Sequence, residues 1–185
     1  YCYPEHITDR LLEVVASQDK VVKYMDIPIQ HASGRILEAM NRPGNNDLLR
    51  RKIEQIRNRV PGIVLRTTVM TGFPGEGEEE FNQLCDFIHD MRFERLGCFT
   101  FSPEEGTAAA LMSDQVDEKE KQRRRDIIMQ EQSRISGEIN SSQTGKVLDV
   151  LVESYDRYAE CWFGRSTADA PDIDGKVFIN CPLGK

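Results

Sequence analysis

Over the first 110 residues, apolar strand-like runs alternate with amphipathic helix-like stretches, and the strand-like runs end in turns rich in glycine, proline or polar side chains. Such alternation is the mark of βα units, whose parallel strands read as near-continuous apolar runs and whose crossovers carry helices. YCY at the start reads as the end of a strand, and residues 8–17 follow as a helix with Leu11, Leu12 and Val15 facing inward. A strand over 24–29 passes through QHAS into a helix over 33–41, with Ser33 as its N-cap and Ile36, Leu37 and Met40 on one face. A helix over 47–60, a strand over 63–70, a helix over 78–92 and a strand over 96–101 continue the pattern. Four strands in this order make part of a parallel sheet or barrel.

Residues 113–136 are dense in charge and sparse in apolar positions. They read either as a solvated helix laid across the domain by Val116, Ile127, Ile128 and Ile135, or as a basic nucleic-acid contact at Arg123, Arg124 and Arg125. Beyond Gly137 the runs KVLDVLVES, AECWFGRS and GKVFIN, separated by Asp/Gly/Pro turns, predict a small all-β module. The expected division is therefore 1–112, a connecting helix over 113–136, and a β module over 137–185. No apolar run is long enough to span a membrane and none resembles a signal peptide, so a cytoplasmic location is expected. The formal net charge of −7 argues against a nucleic acid as the main partner. The five cysteines, at 2, 85, 98, 161 and 181, show no close ligand spacing and read as free thiols, Cys85 and Cys98 as core residues. The chain starts without Met and has strand-like runs at both ends, which reads as a piece of a longer protein.

Three turns could carry chemistry. LRTTVMTGFPGEGEEEF, residues 65–81, runs a β-branched strand into GFPGEG and then into an acidic first helical turn. The glycines let backbone approach a ligand closely, but a phosphate cradle needs a lysine and a bare helix N-terminus. Glu76, Glu78, Glu79 and Glu80 occupy that end instead, so a P-loop is excluded; the turn suits a neutral or cationic ligand, or is a plain tight corner. Arg66 is a cation within an apolar strand, and it either reaches solvent or meets an anion inside the fold. His31, at a strand end, is either a hydrogen-bonding structural residue or a ligand-facing one. FTFSPEEGTAAA, residues 99–110, ends another strand in a turn with the acidic pair Glu104 and Glu105. All three turns fall on one rim, where parallel α/β folds bind ligands.

In order, YCYPEHIT, MDIPIQHAS with its trailing MNRP, RTTVMTGFPGE and FTFSPEEGTAA resemble the third to sixth barrel strands of the radical S-adenosylmethionine methylthiotransferases. The β module resembles the OB-like TRAM domain that follows that barrel. The expected fold class is thus α/β, the C-terminal part of a partial (β/α)6 radical-SAM barrel, followed by a small all-β TRAM module. Transfer-RNA enzymes of the family tend to carry an Arg-Pro pair where this chain has Glu104 and Glu105, and an acidic residue near Thr68. Those positions and GRSTADAPDIDG, residues 164–175, are more similar to the branch that adds a methylthio group to the β-carbon of an aspartate in a small-subunit ribosomal protein. Gly77, where the family usually has threonine, and His6 depart from the pattern.

The resemblance implies S-adenosylmethionine and 4Fe-4S clusters as cofactors, the cluster splitting the cofactor to give a hydrogen-abstracting radical. It implies that Gln30, His31 and Ser33 lie at the ribose and methionyl part, that Met70 and Gly72 lie beside the adenine, and that Arg66 meets the cofactor carboxylate with its planar fork. The family's C-x-x-x-C-x-x-C loop does not occur here and the cysteines match no cluster ligand, so no metal residue is assigned and the chain alone is expected to be inactive. From Gly137 on, Lys146, Arg157, Arg165, Lys176 and Lys185 stand against Glu138, Asp149, Glu153, Asp156, Glu160, Asp169, Asp172 and Asp174, five bases to eight acids. Asp169, Asp172 and Asp174, with Glu104 and Glu105, are therefore expected to bind a basic ribosomal protein, RNA contact being secondary. A transfer-RNA methylthiotransferase is the alternative within the class; a non-catalytic ribosome- or RNA-binding protein is the alternative from another.

Overall fold

A computed structural model of the chain describes residues 1–180, so Cys181 and Lys185, counted above among the thiols and the bases, lie outside the described residues. The elements run α1 Asp9–Ser17, β1 Tyr24–Asp26, α2 Gly34–Ala39, α3 Asn46–Arg59, β2 Val64–Thr71, α4 Glu78–Met91, β3 Arg95–Thr100, α5 Glu118–Ser141, β4 Val150–Asp156, β5 Cys161–Ser166 and β6 Val177–Ile179. β1, β2 and β3 form a parallel sheet in that order, and β4, β5 and β6 form a separate antiparallel one. The α/β portion followed by a small β module is the expected architecture.

Helix ends sit where side chains can satisfy the free backbone N–H groups. The Thr8 hydroxyl accepts from the Leu11 N–H at 3.2 Å, and Asn45 Oδ1 accepts from Leu48 N–H at 3.0 Å. Asp117 accepts from Lys119 N–H, so α5 starts there and residues 113–116 stay outside it. Ser33 does occupy the N-cap of α2 but makes no capping bond with its side chain.

β2 shows the alternation of a strand between two environments. Leu65, Thr67, Val69 and Thr71 are buried, while Val64, Arg66, Thr68 and Met70 are half-buried on the other face. The first face carries the core: Leu12 and Val15 of α1, Leu49, Ile53 and Ile56 of α3, Phe81, Leu84, Phe87 and Ile88 of α4, and Ile128 and Ile135 of α5 join one apolar cluster with Leu65 and Val69. The expected fourth strand, at Tyr1 to Tyr3, is not formed. Cys2 N–H donates to the Asp26 carbonyl at 2.9 Å, beside β1, but Pro4 follows at once and the chain turns into a short 3-10 helix, Pro4–His6. Proline has no N–H to extend a ladder and fixes φ for helix entry.

The connecting segment corrects two expectations. Ile127 is exposed, and the buried stripe of α5 is Lys121, Arg124, Ile128, Gln132 and Ile135, more polar than apolar. The arginine run is not a free basic patch either: Arg124 is buried against Glu76, Arg123 pairs with Glu120, and Arg125 pairs with Asp126. No helix among the described residues is long and apolar enough to cross a membrane.

Candidate functional site

The C-terminal ends of β1 and β2 are joined beyond the formal strands. Ile27 N–H donates to the Arg66 carbonyl at 2.8 Å, Ile29 N–H turns to the Thr67 hydroxyl at 3.5 Å, and Gln30 then pairs with β2 through its N–H to Thr68 O and its carbonyl to Met70 N–H. Gln30 does this at φ 64, a left-handed conformation that costs a non-glycine residue roughly 1–2 kcal/mol. Backbone of this kind at a strand end is commonly kept where a side chain must be aimed.

His31 and Ser33 sit behind Gln30 rather than beside it, both buried. Ser33 N–H donates to His31 Nδ1 at 2.9 Å, so that nitrogen is an acceptor and the ring proton belongs on Nε2, which donates to Glu76 Oε2 at 3.1 Å. The other oxygen of Glu76 accepts from Gly72 N–H at 3.0 Å and from Arg124 Nη1 at 2.7 Å. Arg124 also donates to the Glu76 backbone carbonyl and to Glu120. One fully buried carboxylate thereby ties the β1 turn, the β2 turn and α5 together. Glu120, held by Arg123 against the opposing effect of its own desolvation and helped by Arg124, has its pKa lowered to about 2.

The GFPGE turn is built for close approach. Gly72 has φ +74, and a Cβ there would run into the aliphatic stem of Lys121. Lys121 is itself buried, with Nζ donating to the Phe101 carbonyl at 3.0 Å. Gly77 N–H donates to Glu80 Oε2 at 2.9 Å, and Arg35 of α2 grips Glu80 and the Gly75 carbonyl. Glu80's pKa is lowered; burial works against this, and the Arg35 and backbone hydrogen bonds outweigh it. Above the strand ends lies a second apolar cluster of Ile36, Phe73 and Phe101, with Met40, Met70 and Met112 packed partly buried against it. Phe73 and Phe101 meet edge to face at 5.2 Å. A half-exposed, methionine-rich surface of this kind adapts well to a flat heteroaromatic ring.

The remaining expected site residues divide. Glu104 and Glu105 stand exposed in the turn after β3, and among the described residues neither has an ion-pair partner. Asp172 is exposed at φ 63. Asp169 and Asp174 are not free steering charges: Asp169 accepts from Arg95 Nη2 and from the Ser166 hydroxyl, both at 2.7 Å, and Asp174 accepts from the Tyr24 hydroxyl at 2.6 Å. They fasten the β-module turn to the sheet. Arg66 does meet an anion within the fold, but that anion is Asp26 at 2.7 Å, with Asp174 at 3.8 Å. Arg66 lies opposite Asp26 and Arg95 in the lower rows of the sheet, about 13 Å of strand below Met70 at the usual rise. Its guanidinium is thus engaged by carboxylates of the fold itself.

Burial pushes the Cys98 thiol up to about 12 and the Cys85 thiol up to about 11, so both are protonated core groups. Among the described residues no three His, Cys, Asp or Glu side chains are arranged to hold a metal, so an iron–sulfur cluster finds no ligand set among them. Glu76, Lys121 and Arg124 are the site-shaping residues that sequence reasoning missed. Glu76 was legible only as one more acidic residue before a helix, and Arg124 only as one of three basic residues.

Comparison with known proteins bears on the family and the fold. Residues 2–88 match the family model of the radical SAM superfamily, and residues 144–185 match that of the TRAM domain. The ribosomal protein uS12 methylthiotransferase RimO of Clostridium acetobutylicum is 47% identical over 179 residues, which is 97% of this chain and 40% of that protein. The protein of the same description from Pelotomaculum thermopropionicum is 49% identical over 180 residues, again 97% of this chain and 40% of its own length. The chain thus spans about two fifths of the length of the curated relatives it matches. Among solved structures, Escherichia coli coproporphyrinogen III oxidase (HemN), described as a radical SAM enzyme, shares the fold with a TM-score of 0.56 at 15% identity, covering 74% of this chain and 31% of that one. With its parallel α/β portion in the radical SAM superfamily and its β module in the TRAM family, the chain belongs to the radical SAM methylthiotransferases as a segment of a RimO-like member.

Proposed function

We propose that the chain is part of an enzyme that adds a methylthio group to the β-carbon of an aspartate in ribosomal protein uS12. The observation that carries this is the 46–49% identity over 97% of the chain, α/β portion and β module alike, to proteins named as ribosomal protein uS12 methylthiotransferases. Exposed Glu104 and Glu105 on the rim add to it, since an acidic approach suits a basic ribosomal protein better than a transfer RNA. Such a substrate places the work in the cytoplasm.

In this reading Gln30 aims its side chain at S-adenosylmethionine, Met70 offers a polarizable apolar contact to the adenine, and the side-chain-free Gly72 lets the ring approach the backbone. His31 and Ser33 act from behind, holding the Gln30 turn through the Glu76 carboxylate. When bound, the cofactor supplies radical chemistry for abstracting hydrogen from an unactivated carbon. The part left to these residues is positioning and exclusion of water. Iron–sulfur ligands come from outside the described residues, and Arg66 is not counted among the cofactor contacts.

The test is an anaerobic assay of the full enzyme containing this segment, offered purified uS12 and unmodified transfer RNA in parallel. Mass gain of one methylthio group on a uS12 aspartate supports the proposal. Modification of transfer RNA alone makes the enzyme a transfer-RNA methylthiotransferase, and modification of neither substrate favours a binding role.

A further inference from the structure

Parallel sheets are ordinarily covered on both faces. Here the core lies on one face, while on the other Arg66, Thr68 and Met70 of β2 are half-buried and Phe99 of β3 is 59% exposed. The register sets Met70 beside Phe99, Thr68 beside Gly97 and Arg66 beside Arg95. This open face therefore runs from the turns at the strand ends down to the clasp that Asp169 and Asp174 make with the sheet.

The middle row is a notch. Gly97 has no side chain, and the space its Cβ would fill is bounded by Phe99 Cε2 at 3.5 Å and Arg66 Nη2 at 3.6 Å. Arg66 gives Nη1 to Asp26, across on β1, and turns Nε toward Asp174 at 3.8 Å. Its Nη2 makes no hydrogen bond among the described residues and is not sealed from solvent. Arg95, the other cation of this face, donates to the Glu94 carbonyl and to Asp169, and its Nε is sealed. Asp169 and Asp174 also accept from Ser166 and Tyr24. Arg66 Nη2 is thus the cationic donor that the open rows offer.

The inference rests on the uS12 reading and names how the target is held. A carbon that loses hydrogen must come within about 3–3.5 Å of the reacting group. With the cofactor held by the Gln30, Met70 and Gly72 turns, the target side chain has to enter on this open face. The notch lies one row, about 7 Å, below Met70. In aspartate the β-carbon is bonded directly to the carboxyl carbon, so a carboxylate held in the notch leaves that carbon turned up toward Met70. A guanidinium N–H suits a carboxylate through a charge-assisted bond. We propose that the target aspartate seats its carboxylate on Arg66 Nη2 over Gly97, the Phe99 ring forming the wall that admits a short acidic side chain.

The experiment measures, by calorimetry, binding of purified uS12 to the full enzyme with S-adenosylmethionine present. The same titration is run with uS12 carrying asparagine in place of the target aspartate. The asparagine form is expected to bind about tenfold more weakly, as loss of one charge-assisted hydrogen bond requires. Gly97→Val fills the notch at a strand position that suits a β-branched residue. In that variant the two forms should bind within about twofold of each other, with S-adenosylmethionine affinity as in the parent. Gly97→Ala, whose Cβ fits at ordinary contact distances, should give an intermediate ratio. Equal or tighter binding of the asparagine form by the parent, or an undiminished ratio in both Gly97 variants, overturns the proposal. An enzyme that methylthiolates uS12 yet gives either result leaves the function reading standing; one that neither binds nor modifies uS12 overturns both.

Discussion

Replacing Arg124 with leucine tests whether the buried Glu76 carboxylate organises the site. Glu76 has a fully buried side chain, and among the described residues Arg124 is the one Lys or Arg that reaches its oxygens, at 2.7 Å. Without it the carboxylate retains Gly72 N–H at 3.0 Å and His31 Nε2 at 3.1 Å, neither of them a charge. Breaking a buried pair from one side costs about 3–5 kcal/mol. In a chain of this size that lowers the melting temperature by roughly 6–20 °C. Glu76→Gln alone also destabilises, because its amide group would present a second donor to the His31 N–H while Nδ1 stays occupied by Ser33. In the double variant, however, no charge is left stranded, so its loss should fall short of the sum by at least about 1 kcal/mol. The assay is urea unfolding of the four chains, followed by far-UV circular dichroism. Losses that add to within about 0.5 kcal/mol, or an Arg124→Leu cost near that of a surface substitution, would refute the reasoning.

Other outcomes follow from the same geometry. Gly72→Ala should destabilise by about 1–3 kcal/mol, since φ +74 disfavours a Cβ and Lys121 occupies its space; Lys121→Ala in the same chain should recover the steric share only, as measured by thermal unfolding. Gln30→Gly should relieve a left-handed backbone and raise stability by up to about 1 kcal/mol while weakening S-adenosylmethionine binding in the full enzyme, whereas an unchanged affinity would remove Gln30 from the cofactor contacts. Asp169 has its pKa lowered: desolvation opposes this, but the Ser166 and Arg95 hydrogen bonds prevail. A depressed carboxylate stabilises the folded state above its unfolded pKa of about 3.9 and loses that contribution as pH falls through the folded value. Hydrogen exchange of residues 166–174 should therefore hold steady from neutral pH to about 4 and rise below it, after correction for intrinsic rates; protection that persists to lower pH would contradict the clasp.

The βα alternation was legible because parallel strands and amphipathic helices differ in period, and β2 and α4 agree closely with the reading of residues 63–70 and 78–92. Tyr1 to Tyr3 misled because apolar alternation over so few residues cannot show whether a partner strand is in reach, and Pro4 decided otherwise. On α5 the buried stripe is Lys121, Arg124 and Gln132 as much as Ile128 and Ile135, so hydrophobic periodicity was weak where packing was tight. Aspartates in a turn read as solvent-facing; that Asp169 and Asp174 would find Arg95, Arg66 and Tyr24 some 74 to 150 residues earlier is a tertiary fact. The rim was legible from its glycines and polar turns. Its support was not, because Glu76 and Arg124 look like surface charges until the fold brings them together.

The central claim is that the turns after β1 and β2 carry the cofactor while the lower rows of the sheet hold the β module in place. Hydrogen exchange of the full enzyme, with and without S-adenosylmethionine, tests it most directly. New protection at residues 28–33 and 70–77, with residues 166–174 unchanged, is the predicted result. Protection confined to the Arg66 and Arg95 rows and the 166–174 turn, with the two upper turns unaffected, would contradict it.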